Sequence, residues 1–299
     1  MKIEGPLMSH FAAGTIGKTL TFRRTPTGQV AYAHFIPKQP NTKTQADRHA
    51  LYSILAARWH TLSSTERDHF APAAAAYRIT LFNAYMGYNL RRLNPAQLDG
   101  LLAWWPAIVP AGNVLHDLLP GRWDAEFVSI DPTNAWPQDS QRAGQVIEFP
   151  GTGYANVPSP PSSTAAYTWA FWFKQNSYTG TAAIVDTGDT AHYLQGRTAG
   201  QRLQHVLRGV AAYTNQFLLD DFTWHHYAGT YQGTNIEIYL DARYYMIAPQ
   251  PIPPTANVYM RFGAHSIGVP PVYFNGRVDD LRFYSRSLDL PDIQELAAR

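Results

Sequence analysis

His225 and His226 are the residues whose type most suggests metal ligation. They sit in a run, Trp224-His225-His226-Tyr227-Ala228, that reads as a strand. Neighbours along a strand point to opposite faces, so one ion cannot easily use both imidazoles. Both are therefore read as structural, and Trp224 as a core anchor rather than a sugar platform. Reaction chemistry finds less support. The chain has no Cys, which excludes disulfides, thiolate metal sites and a cysteine nucleophile. Gly-x-Ser-x-Gly, a P-loop, His-Glu-x-x-His and a dinucleotide fingerprint do not occur. A non-enzymatic protein is expected.

Two basic doublets, Arg23-Arg24 and Arg91-Arg92, are the candidate contacts for a partner. Tyr32 and Phe35 lie near the first, as a single-strand nucleic-acid platform would need. No recognised nucleic-acid-binding motif accompanies them, so nucleic acid is not the expected partner. The doublets belong to a wider asymmetry. Residues 1–95 hold 12 Lys+Arg against 4 Asp+Glu, a balance of +8; residues 96–299 hold the remaining 12 against 18, a balance of −6. Such a split suits a first half that faces something acidic, a partner subunit being the expected choice.

The elements that must position these residues fall into two regions. Thr19–Arg24 and Gln29–Phe35 alternate apolar and polar around Thr25-Pro26-Thr27-Gly28, which predicts a β-hairpin. Thr42 and Gln45 form a capping-box pattern before Ala46, Ala50, Leu51, Ile54, Leu55, Trp59 and Leu62, spaced as one helical face. Ser63 and Glu66 start a second helix through Phe70, which Pro72 breaks or restarts. A third helix is expected over 81–93. The expected division is an arm and hairpin over 1–36, a basic helical domain over 37–95, and a β-domain over 99–299. No secretory leader, no 18-residue apolar span and no Asn-x-Ser/Thr acceptor is found.

From Leu101 to Ala297 the chain consists of short alternating runs separated by Gly, Pro, Asn and Asp, the pattern of a β-sandwich or jelly roll. Ile236-Glu237-Ile238-Tyr239-Leu240 is the cleanest strand. Several landmarks occur in order: Leu102-Ala103-Trp104-Trp105-Pro106, His116-Asp117-Leu118, Gly144–Gly151, Thr168–Lys174, Trp224–Gly233, Ile238–Arg243 and Phe274–Leu288, followed by a short helix from Asp289. Together they resemble the LamG branch of the concanavalin A-like superfamily. Separately, residues 10–90 resemble a phage- and prophage-associated family of unknown function, through Gly17-Lys18, Asn41–Arg48, Trp59 and Leu62–Arg67.

The resemblances imply a mainly β protein, a concanavalin A-like jelly-roll sandwich preceded by a small hairpin and helical domain. They imply a possible calcium site at Asp117, Asp279 and Asp280, since hard cations want several oxygen ligands. Enzymes of this fold place two carboxylates on one strand for glycoside cleavage. Neither Glu-x-Asp-x-x-Glu nor Glu-x-Asp-x-Glu is present; Glu237 is the nearest acid and its i+2 neighbour is Tyr239. The expected role is a virion structural protein, a capsid-decoration, head-fibre or tail component in an oligomeric assembly, docked through residues 1–95. The alternative is a carbohydrate-binding module, extracellular or at a cell surface. Tyr178, Tyr193, Tyr213 and Tyr259 would then stack on host or other glycans.

Overall fold

The computed structural model describes residues 42–298 except 122, 143, 163, 177–180, 189, 198–199, 214–221, 255–256, 258 and 266–271. For 14–16, 20–25, 28–33, 181, 190–197, 200–202 and 213 it gives the backbone course alone. The chain divides into two compact units, Met1–Gln45 and Ala46–Arg299.

In the first unit Leu20–Thr25 pairs antiparallel with Gly28–Ala33, in the register Leu20↔Ala33 to Thr25↔Gly28. This is the expected hairpin, and Gly14–Ile16 adds a third strand on its other edge. Thr42 and Gln45 exchange backbone-to-side-chain hydrogen bonds, the reciprocal cap read from their spacing.

Four helices precede the sandwich: α1 (Lys43–Trp59), α2 (Ser64–Asp68), α3 (Ala71–Tyr77) and α4 (Leu81–Arg92). At α2 the Ser63 side chain accepts from the Glu66 amide and Glu66 accepts from the Ser63 amide. Pro72 stands in the first turn of α3, where its missing N–H costs nothing, so it restarts the helix. Leu51, Leu55, Leu62, Phe70, Tyr85 and Met86 form one buried cluster with Trp104, Ile108, Val109 and Leu118. The helices from Ala46 onward thus belong to the same compact unit as the sandwich. An ionic contact reinforces this packing: Arg58 of α1 donates to Asp124 at 2.6 Å, and His116 lies within hydrogen-bond distance of both Glu66 and Asp124.

Among the described residues the larger sheet runs, in spatial order, Val210–Tyr213, Gly200–Leu207, Thr190–Arg197, Thr181–Asp186, Met260–Phe262, Tyr154–Val157, Ala125–Val128, Val114–Leu115. The second runs Arg243–Pro249, Asn235–Leu240, His225–Tyr231, Tyr167–Gln175, Asn275–Tyr284, Leu101–Trp105, with Ile147–Pro150 also on Asn275–Tyr284. Alternation sets the core. Tyr167, Trp169, Phe171 and Phe173 point inward from one strand, as do Ile236, Ile238 and Leu240 from another. They meet Phe127, Val157, Leu203, Met260 and Phe262 of the facing sheet. Trp169 stacks on Phe283 with centroids 4.6 Å apart, and Trp105 meets Phe262 edge-on at 4.9 Å. Helix α5 (Leu290–Ala297) lays Ile293 and Leu296 on Ala170, Ala228, Tyr239 and Tyr284, covering part of the outer face of the second sheet. Among the described residues, the apolar clusters that hold the helices contain no strand residue of the larger sheet.

Candidate functional site

The outer face of the larger sheet carries the candidate site. In Tyr154–Val157, Ala155 and Val157 are core, so Tyr154 and Asn156 face outward. In Met260–Phe262 the same alternation leaves Arg261 outward. In Ala125–Val128 it leaves Glu126 and Val128 outward. Register then aligns them. Glu126 stands opposite Asn156, Asn156 opposite Arg261, and Arg261 opposite Asp186. Directly opposed residues share a face, so four polar side chains from four strands make one row.

Two tyrosines flank it. The Arg261 guanidinium lies 5.1 Å from the centroid of the Tyr154 ring and 4.8 Å from that of Tyr259, within cation–π range of both. Asp186, fully buried, anchors the end of the row: Oδ1 accepts from the Gly188 amide at 2.8 Å and from the Tyr259 hydroxyl at 3.3 Å, and Oδ2 lies 2.8 Å from His265 Nδ1. Gly188 has φ +88°, and a Cβ there would come within 3.1 Å of the Tyr259 ring. Glycine is thus the residue that lets the turn reach Asp186 and leave room for the tyrosine. Chemically the face offers two amphipathic rings, an amide, a carboxylate and a guanidinium with open donors. That mixture suits a polyhydroxylated ligand with an apolar face.

The residues singled out from sequence fare differently. Tyr259 belongs to this face. Tyr193 and Tyr213 lie on strands, but their own side chains, like the whole of Tyr178, are outside the described residues. The side chains of Arg23 and Arg24 are likewise outside them, although both lie on the first unit's central strand. Arg91 is exposed and donates to the Gly87 carbonyl at 2.7 Å. Arg92 is not a free docking contact. It is buried and donates to Asp279 at 3.1 Å, because α4 packs against the strand carrying that aspartate.

The three aspartates each have their own partners. Asp117 accepts from the amides of Trp104, Leu119 and Trp123. Burial pushes its carboxyl up to about 6, against the opposing pull of those amides. Asp279 holds Arg92 and Arg142, with the Arg142 guanidinium 4.1 Å from the Trp172 ring. Asp280, at φ 57°, sits in a bulge of its strand opposite 170–172 and accepts from Trp104 Nε1 and Arg282. Among the described residues, no group of three or more His, Asp or Glu is placed to hold a metal ion. His226 is buried, its ring pushed down to about 3 by that burial, while His225 on the opposite side of the strand meets Asp241 at 2.8 Å. Glu237 accepts from Tyr239 and Gln232.

Sequence reading missed Tyr154, Asn156, Arg261 and Asp186. Alternation marks the first three as outward. Nothing local shows that residues 126, 156, 186 and 261 line up.

Comparison with known proteins agrees with this architecture. Residues 149–294 match the profile of the concanavalin A-like lectin/glucanases superfamily. No curated protein matches the chain in sequence. Among solved structures, domain 4 of an extracellular arabinanase from Geobacillus stearothermophilus, in complex with arabinotriose, superposes with TM-score 0.53 at 16% identity, covering 66% of this chain and 98% of that domain. A Trypanosoma rangeli sialidase superposes with TM-score 0.50 at 14% identity, covering 68% of this chain and 33% of the sialidase. A mutant of that sialidase reaches TM-score 0.53 at 13% identity, over 93% of this chain and 42% of its own. Sheet order, inward aromatics and these matches agree: the chain has a concanavalin A-like β-sandwich fold, with residues 149–294 matching that superfamily and a small helical part preceding it.

Proposed function

We propose that this chain is a non-catalytic carbohydrate-binding protein whose ligand face is the outer surface of the larger sheet. The observation that carries the reading is the row Glu126, Asn156, Arg261 and Asp186, aligned by register and flanked by Tyr154 and Tyr259. Tyrosine rings pack against the C–H face of a sugar while Glu126, Asn156 and Arg261 exchange hydrogen bonds with its hydroxyls and the buried Asp186 anchors the end of the row. The arabinanase domain of the same fold, solved with arabinotriose, supports the reading by analogy of fold. Catalysis is not proposed: Glu237 is occupied by Tyr239 and Gln232, and the paired-carboxylate strand pattern is absent. The assembly-subunit role, read from the resemblance of residues 10–90 and the opposed charge of the two halves, is compatible with a glycan-holding sandwich.

The test is glycan-array binding by the intact chain and by Tyr154→Ala and Tyr259→Ala. Loss of a stacking ring costs about 1 kcal/mol, or some fivefold to tenfold in affinity. Unchanged retention by both variants would place the ligand elsewhere.

A further inference from the structure

We propose that Arg261 makes this face selective for carboxylate-bearing saccharides over neutral ones, an inference that rests on the reading of the face as glycan-binding. Arg58, Arg92, Arg142, Arg277, Arg282 and Arg286 each pair with a carboxylate. Arg261 does not. Among the described residues it makes no ion pair and no hydrogen bond, and its Nε is buried without a partner. The row does contain a carboxylate opposite it, Asp186, but both oxygens there are engaged by Gly188, Tyr259 and His265.

Two tyrosine rings therefore fix a planar cation whose donors remain unspent. Immobilising the guanidinium beforehand removes most of the entropy that binding would otherwise lose. The planar fork matches a carboxylate in a two-point, charge-assisted contact, shorter and about twice as strong as a neutral hydrogen bond. A neutral sugar accepts from the same donors only through uncharged hydroxyls, so it gains no ion-pair attraction to the guanidinium. Asp186 lies on the same face and repels an anion, so the carboxylate is expected on the Asn156 side of Arg261, where the opposed residue is an uncharged amide. Glu126, one strand further on, limits how far an anionic chain can extend in that direction.

The experiment is an array bearing uronate- and sialate-containing oligosaccharides beside matched neutral ones, probed with the full chain, Arg261→Gln and Arg261→Lys. The full chain should retain acidic glycans at least tenfold more strongly than their neutral counterparts. Arg261→Gln should lose that preference at an unchanged melting temperature, and Arg261→Lys should keep part of it. The preference should also shrink between 50 mM and 500 mM salt. Equal retention of acidic and neutral glycans by the full chain, or a preference that survives in Arg261→Gln, overturns the selectivity and leaves the face glycan-binding. Retention of no glycan of either class overturns both. Should Arg261→Gln melt early, Arg261→Lys decides: a preference unchanged in it and insensitive to salt overturns the proposal.

Discussion

Replacing Asp279 with Ala removes the single carboxylate shared by Arg92 and Arg142, at 3.1 and 3.2 Å. Asp279 is 4% exposed, Arg92 5% and Arg142 9%, so two cations would be left in a nearly dry environment. Removing one partner of a buried pair costs about 3–5 kcal/mol, because the remaining charge is uncompensated. Two stranded guanidiniums argue for the upper half of that range. Arg142 keeps its contact with Trp172, which retains roughly 0.5–2 kcal/mol. That leaves a loss of about 2–4.5 kcal/mol, and in a folding unit of this size each kcal/mol shifts the melting temperature by roughly 2–4 °C, so a fall of about 4–18 °C is expected. Differential scanning calorimetry of both proteins, with and without EDTA, reads it. EDTA should leave the parent curve in place. A triple replacement, Asp279→Leu with Arg92→Met and Arg142→Met, should recover most of the loss, since apolar replacement of a whole buried ion cluster is often neutral. A fall below 3 °C for Asp279→Ala would refute this reasoning. So would a drop with EDTA in the parent protein that matches the mutational loss, which would make Asp279 a metal ligand.

Truncation to residues 99–299 should give a less stable protein than residues 42–299 in thermal melts, because it uncovers Trp104, Ile108, Val109 and Leu118 and strips Arg92 from Asp279. Equal melting temperatures would show that the helices contribute nothing to the sandwich. Asp117 titrates at about 6 when folded and near 4 when unfolded, so the folded state holds the proton more tightly. Its contribution is full below pH ~4 and is lost as pH rises through 6; Asp117→Asn should flatten that limb, by up to about 3 kcal/mol, in urea titrations between pH 4 and 7. His226 runs the other way: it titrates near 6.5 when unfolded and about 3 when folded, so stability falls as pH drops through that window. His226→Gln should reduce the acid lability, and an unchanged acid limb would count against a neutral buried ring. Trp169→Ala should cost roughly 3–5 kcal/mol, read by urea unfolding, since the ring is fully buried against Phe283 and Trp105.

What was legible in the sequence follows the range of the forces involved. The hairpin, both capping boxes and the inward set Ile236, Ile238 and Leu240 depend on residues within a few positions of one another, and their spacing displays them. The sandwich was legible because ordered landmarks such as Trp169-Ala170-Phe171-Trp172 and Trp224-His225-His226 constrain a whole core. Arg92 was not legible as a buried residue, since its partner Asp279 lies 187 positions away. The same holds for the candidate site. Outwardness of Tyr154 and Arg261 can be read from alternation, but their meeting depends on the register Asn156↔Arg261, set by packing across the whole sheet. Asp280 gave no warning of its bulge, because the chain leaves regular pairing there to satisfy Trp104 Nε1 and Arg282 rather than through any turn residue.

The central claim, that the outer face of the larger sheet binds carbohydrate, is tested most directly by amide chemical-shift mapping while titrating an array-selected oligosaccharide into the labelled protein. The account predicts that perturbations concentrate on Glu126, Tyr154, Asn156, Asp186 and Arg261 and vanish in Tyr154→Ala/Tyr259→Ala. Perturbations confined to the opposite sheet, its covering helices or the sandwich rim would contradict it.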